Sequence, residues 1–153
     1  MKNITLLIKR SDLYAEVGRL TAYLGVKQAP AEDPGGHFDR MAVIDGDNPL
    51  LSRFANEALS VMVDRLKGIV GGVQTDSETL SVNLHLSDNY DDSLTVAVTE
   101  NFEAYMAAAV TSRWLRLVDP SRRAEWQEES ERTLLSLTAS LYHRNPPKRI
   151  MNA

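Results

Sequence analysis

The segment 80–87 constrains the chain more than any other. Leu80, Val82, Leu84 and Leu86 alternate with Ser81, Asn83, His85 and Ser87. Successive side chains of a strand point to opposite faces, so a period of two predicts a strand with one buried and one wet face. Such a strand needs a core for its apolar side and a neighbour for its backbone groups. The sequence offers another strand of similar length at its start. Asn3-Ile4-Thr5-Leu6-Leu7-Ile8-Lys9 is β-branched and places Ile4, Leu6 and Ile8 on one face. Either these two strands pair with each other, or each offers an edge to another chain.

The remaining apolar residues fall at helical spacing. Ser11 is the expected cap of a first helix that carries Leu13, Val17, Leu20 and Leu24 to about Val26, with Asp12 complementing the helix dipole. Periodicity then fails over 27–47, where Pro30, Pro34, Gly35, Gly36 and Gly46 read as a long loop with a short strand near Met41-Ala42-Val43-Ile44. Loops of that length are functional or mobile, so either a partner contact or plain disorder is expected there. Asn48-Pro49 starts a second helix with the stripe Leu51, Phe54, Ala55, Ala58, Met62, Leu66 and Ile69, and Gly71-Gly72 is read as its stop. Asp91 or Asp92 caps a third helix to about Val118, whose slim middle (Ala104, Ala107, Ala108, Ala109) predicts a central position. Asp119-Pro120 opens a fourth, carrying Trp126, Leu134, Leu137 and Leu141, and Asn145-Pro146-Pro147 ends it. The expected fold is therefore α+β, mainly α, with about four helices and a small β element that is two-stranded or strand-augmented. Residues 1–144 form one domain containing the loop 27–47, and 145–153 form a basic, proline-rich C-terminal tail.

Length and composition support one globular unit. A chain of 153 residues with 43% hydrophobic and 25% charged residues buries enough surface to fold without staples. It has no cysteine, so disulfides and thiolate zinc sites are excluded. The apolar run from Ile4 to Ile8 is too short for a signal core or a membrane span, and no membrane association is expected. A net charge of −4 argues against direct nucleic-acid binding, which relies on Lys and Arg.

No chemistry stands out. His37, His85 and His143 share no ligand spacing, and neither phosphate-cradling glycine motifs nor a GxSxG elbow occur. Asp45 and Asp47 form one acidic cluster and Asp88, Asp91 and Asp92 another. Both precede helix starts, where capping is the expected role. Catalytic, cofactor and metal residues are therefore assigned as none. Tyr105, Trp114, Trp126 and Tyr142 sit among aliphatics and read as core. Arg122 and Arg123 oppose the dipole of the fourth helix and hint at an acidic neighbour.

Several stretches together resemble a known group. They are Leu13-Tyr14-Ala15-Glu16-Val17, Leu20-Thr21-Ala22-Tyr23-Leu24-Gly25, Phe38-Asp39-Arg40, Leu86-Ser87-Asp88-Asn89-Tyr90-Asp91-Asp92, Ser112-Arg113-Trp114 and Leu141-Tyr142-His143-Arg144-Asn145-Pro146-Pro147. In this order they resemble small helical virion proteins of tailed phages and prophages of gut bacteria, of the head–tail connector or tail-completion type. The resemblance implies a non-enzymatic protein, assembled in the host cytoplasm into a virion. There it would join a ring-like homo-oligomer and touch neighbouring virion proteins. It transfers no catalytic or ligand residues. The expected interface combines Ile4, Leu6 and Ile8 of the first strand, His37, Phe38 and Arg40 of the loop, and Arg144, Pro146, Pro147, Lys148 and Arg149 of the tail. Two other classes compete: a cytoplasmic adaptor or regulatory module binding through the loop, and a small metal-dependent hydrolase using Asp88, Asp91 and Asp92.

Overall fold

The computed structural model describes residues 1–27 and 42–144. Its elements run β1 (Lys2–Lys9), α1 (Arg10–Lys27), α2 (Asn48–Arg65), β2 (Val70–Thr75), β3 (Thr79–Leu86), α3 (Thr95–Val118) and α4 (Arg123–Tyr142). Single 3-10 turns lead into three of the helices: Asp45–Asp47 before α2, Asp92–Leu94 before α3 and Pro120–Arg122 before α4. The fold is α+β and mainly α.

The alternating strand is the centre of the sheet, in the order β1-β3-β2. β1 pairs with β3 antiparallel within the same chain, setting Ile4 opposite Leu84, Leu6 opposite Val82 and Ile8 opposite Leu80. Opposed residues of an antiparallel pair share a face, so the two apolar sets form one surface. That surface packs into one core with Leu13 and Val17 of α1, Phe54 and Met62 of α2, Phe102 and Met106 of α3, and Leu134 and Leu137 of α4. α3 is the central helix, buried continuously from Tyr105 to Ser112 and packed most extensively on α4. Its slim alanine stretch lets neighbours approach on nearly every side.

Three local expectations are corrected. Ser11 does not cap α1, because the helix begins at Arg10 directly from the strand; the Arg10 N–H donates to Glu78 O at 2.8 Å, so the β2–β3 turn takes over the role of a cap. Gly71-Gly72 does not stop α2, which ends at Arg65; both glycines lie inside β2, a third strand. Residues 42–44 carry no strand.

β2 is held by its antiparallel pairing to β3, with an irregularity between Val70 and Gly72 that makes Gly71 the extra residue of a bulge. A Cβ at Gly71 would lie 2.0 Å from His85 Nε2, so the imidazole occupies the place of a side chain. The His85 ring is also tied sideways, with Nδ1 2.6 Å from Asn3 Oδ1 across the sheet.

Candidate functional site

The expected interface divides into three parts. Leu6 and Ile8 are buried in the chain's own core and Ile4 packs half-buried against it. Their side chains are thus spent internally, which corrects their assignment as partner-facing residues. Arg144 pairs with Tyr90 through an isolated β-bridge, donates to Leu141 O at 3.2 Å, and lies 6.0 Å from the centre of the Tyr142 ring. His37, Phe38, Arg40, Pro146, Pro147, Lys148 and Arg149 lie outside the described residues.

What β1 exposes is its other face and its outer edge. Asn3, Thr5, Leu7 and Lys9 are exposed, Leu7 at 48%. Lys2 and Lys9 place charge only at the ends of this strand, and no proline interrupts it. β2 forms the opposite edge and is exposed along nearly its whole length. Val73 sits opposite the fully buried Val82 yet is itself 43% exposed. A groove of about 600 Å³ remains there, lined by Leu59, Val63 and Lys67 of the α2 side and by Val73 and Thr75. β2 carries neither charge nor proline. Sequence reasoning missed this strand because Gly71-Gly72 is a strong breaker signal. The signal that could have found it is the polar turn at Thr75-Asp76-Ser77-Glu78, which fits a hairpin leading into β3.

A buried arginine anchors the corner between sheet and helices. Arg10 is nearly inaccessible and donates to Asp76 O at 2.7 Å, Ser52 Oγ at 3.2 Å and Asn56 Oδ1 at 2.9 Å. One guanidinium thereby ties the start of α1 to the β2–β3 turn and to α2. Asp76 shapes that turn, accepting from the backbone N–H groups of Thr79 at 2.7 Å and Glu78 at 2.8 Å. These two bonds, the Thr79 one first, hold its carboxyl below the usual carboxylate range.

The acidic clusters are engaged in local structure. Asp91 accepts from the Ser93 hydroxyl at 2.6 Å and from its backbone N–H at 3.0 Å, which lowers its carboxyl pKa and caps the turn before α3. Asp88 pairs with the Met1 ammonium, which likewise depresses it, and Asp92 accepts from Lys2 Nζ at 2.9 Å. Asp47 accepts from the Ile44 N–H at 2.9 Å. Among the described residues no three His, Asp or Glu side chains gather in a group fit to hold a metal ion. Tyr105 is buried with its hydroxyl donating to Ala58 O at 2.7 Å, and burial pushes its pKa up to about 12. Trp114 is also core, whereas Trp126 is half-buried and Tyr142 exposed.

Two clefts of opposite charge flank α3. Between α1, β1 and α3 lies a groove of about 490 Å³ with Leu7, Ile8, Leu13 and Ala107 among its apolar lining, and Asp12, Glu16, Glu100 and Glu103 with Lys9 and Arg19 as its charged lining. Between α3 and α4 a smaller cleft of about 180 Å³ gathers Arg113, Arg116 and Arg123 with Glu131. Arg113 is paired with Glu57 at 3.4 Å, and Arg122, in the turn before α4, with Glu125 of that helix at 3.7 Å. No helix among the described residues is long and apolar enough to cross a membrane. Compared with family models, curated proteins and solved structures, the chain matches none.

Proposed function

We propose that this protein is a non-enzymatic assembly component of a phage virion, a head–tail connector or tail-completion subunit working in a ring-like homo-oligomer. The observation that carries the assembly part is the small sheet, neither of whose outer strands, β1 and β2, has a further strand paired to it among the described residues. An exposed edge presents unpaired backbone donors and acceptors, and proteins that stay monomeric blunt such edges with charge, proline or a covering element. β1 in its middle and β2 along its whole length carry neither charge nor proline, and the bulge at Gly71 is the one such device in β2. β2 also leaves an aliphatic side chain, Val73, over an open groove. A neighbouring subunit adding a strand would satisfy the backbone and cover that side chain together. Two different edges on one subunit suit a head-to-tail contact, which closes into a ring when the rotation between subunits closes. The virion setting rests on the sequence resemblance described above. The test is electron microscopy of the purified protein and of the particle that carries it. Rings with a fixed subunit number at a head–tail junction are expected. A particle that lacks the protein altogether would refute the virion assignment.

A further inference from the structure

We infer that the cleft between α3 and α4 is a binding site for a phosphate group, either the free ion or the head of a small phosphomonoester. Its charged lining is three arginines, Arg113, Arg116 and Arg123, and one carboxylate, Glu131. Arg113 and Arg116 are one helical turn apart on α3 and share a face; Arg123 opens α4 on the other side of the cleft. The lining therefore carries an excess of two positive charges. Its carboxylate is already engaged, because Glu131 pairs with Arg65 of α2 at 3.4 Å. Arg113 pairs with Glu57, but Glu57 also takes Arg53 at 3.1 Å, so one anion serves two guanidinium groups. Arg116 and Arg123 have no ion-pair partner among the described residues.

Helix electrostatics accounts for only one of these two. Arg116 lies in the last turn of α3, where a cation complements the dipole, whereas Arg123 is the first residue of α4 and opposes it. An anion held between the arginines of both helices offsets that opposition and their mutual repulsion together. A buried polar group is available beside them. Ser112 and Ser130 both line the cleft and are nearly inaccessible. Ser130 Oγ donates to Gln127 O at 2.8 Å and the Tyr105 hydroxyl to Ala58 O, while the Ser112 hydroxyl makes no side-chain hydrogen bond among the described residues. Size and charge then select the ligand. The cleft holds about 180 Å³, below the ~300–1,000 Å³ of sites for drug-sized molecules, which leaves room for one small group. A phosphomonoester carries about −1.5 to −2 near neutral pH, with three acceptor oxygens, and matches the excess charge. A single carboxylate or a phosphodiester matches half of it. The cleft is complete within one chain, so the site does not depend on the assembly reading.

The test is isothermal titration calorimetry of the full chain with sodium phosphate and with methyl phosphate, at constant ionic strength balanced by chloride. One site per chain is expected, with a Kd below about 1 mM. Arg116→Gln with Arg123→Gln should weaken binding about tenfold or more, and Ser112→Ala about threefold. Arg19→Gln, on α1, should leave it unchanged. Both cleft arginines are exposed, so their replacement should leave the circular dichroism unaltered; the parent titrations decide the question alone if a variant does not fold. Tighter binding of methyl phosphate would assign the ester as the source, and tighter binding of phosphate the free ion. No saturable heat from either probe, or undiminished binding in the double arginine variant, would overturn the inference. So would acetate binding as tightly as phosphate, or a short DNA duplex binding more tightly than both probes, which would assign the arginines to carboxylates or to a nucleic-acid backbone.

Discussion

Replacing Arg10 distinguishes two opposed effects. Its guanidinium is nearly inaccessible and makes three hydrogen bonds, all to neutral acceptors. Hydrogen bonds from a charged donor each contribute ~1.5–3 kcal/mol net. Against them stands the desolvation of the charge, large enough that apolar replacements of buried ions are sometimes neutral or stabilising. Asn56 is exposed and Ser52 half-buried, so water can serve both once the arginine is gone, and three bonds do not sum. Arg10→Met keeps the apolar stem and removes the bonds, and it should cost about 2–4 kcal/mol. Arg10→Ala loses stem packing as well and should cost about 1 kcal/mol more. For a domain of this size 1 kcal/mol shifts the Tm by about 2–4 °C. The assay is urea and thermal unfolding by circular dichroism, with unchanged m-values required for a two-state comparison. Arg10→Met as stable as the parent would refute the clamp, since desolvation would then cancel the bonds.

Three further outcomes follow from the geometry. Val82→Asp puts an unpaired carboxylate at a fully buried position facing Leu6, at a cost comparable to the whole stability of ~5–15 kcal/mol; the variant should be insoluble or lack a cooperative melt, and a parent-like Tm would contradict the assigned face. Asp76, Asp88 and Asp91 are depressed in the fold, so their stabilisation is present above the ordinary carboxylate pKa of ~3.9 and lost as pH falls through the folded values; Tm measured from pH 6 down to pH 2 should drop below about pH 4, and Asp76→Asn with Asp91→Asn should flatten the drop. Gly71→Ala forces the His85 ring aside and breaks its bond to Asn3, costing about 1–2 kcal/mol; adding His85→Ala should recover part of it in a double-mutant cycle, and strictly additive effects would refute the contact.

The elements legible in the sequence are those whose periodicity records burial. The alternation of Leu80, Val82, Leu84 and Leu86, and the helical stripe through Phe54, Ala58 and Met62, face the core as read. β2 was illegible because it buries almost nothing; its backbone pairing to β3 makes it a strand, and backbone pairing leaves no trace in side-chain pattern. The same holds for Arg10. Lys9-Arg10 reads as charge after a strand, and only the approach of Ser52, Asn56 and Asp76 from distant segments makes one of the two a buried clamp. The interface assigned to Ile4, Leu6 and Ile8 went astray for a related reason. An apolar strand face states that something covers it without saying whether the cover is the same chain. The exposed edges and the two charged clefts are properties of packing, with residues drawn from several elements, and local spacing does not announce them.

The central claim is that the sheet edges exist to be joined between subunits. Native mass spectrometry combined with multi-angle light scattering tests it most directly, on the parent and on the edge variants Leu7→Lys and Val73→Lys. Both side chains are exposed, so lysine should be tolerated in the fold, while a charge on an edge disfavours strand addition. The account predicts a closed oligomer of one defined mass for the parent, and monomers with unchanged circular dichroism for the variants. A parent that stays monomeric at every concentration, or edge variants that assemble as fully as the parent, would contradict it.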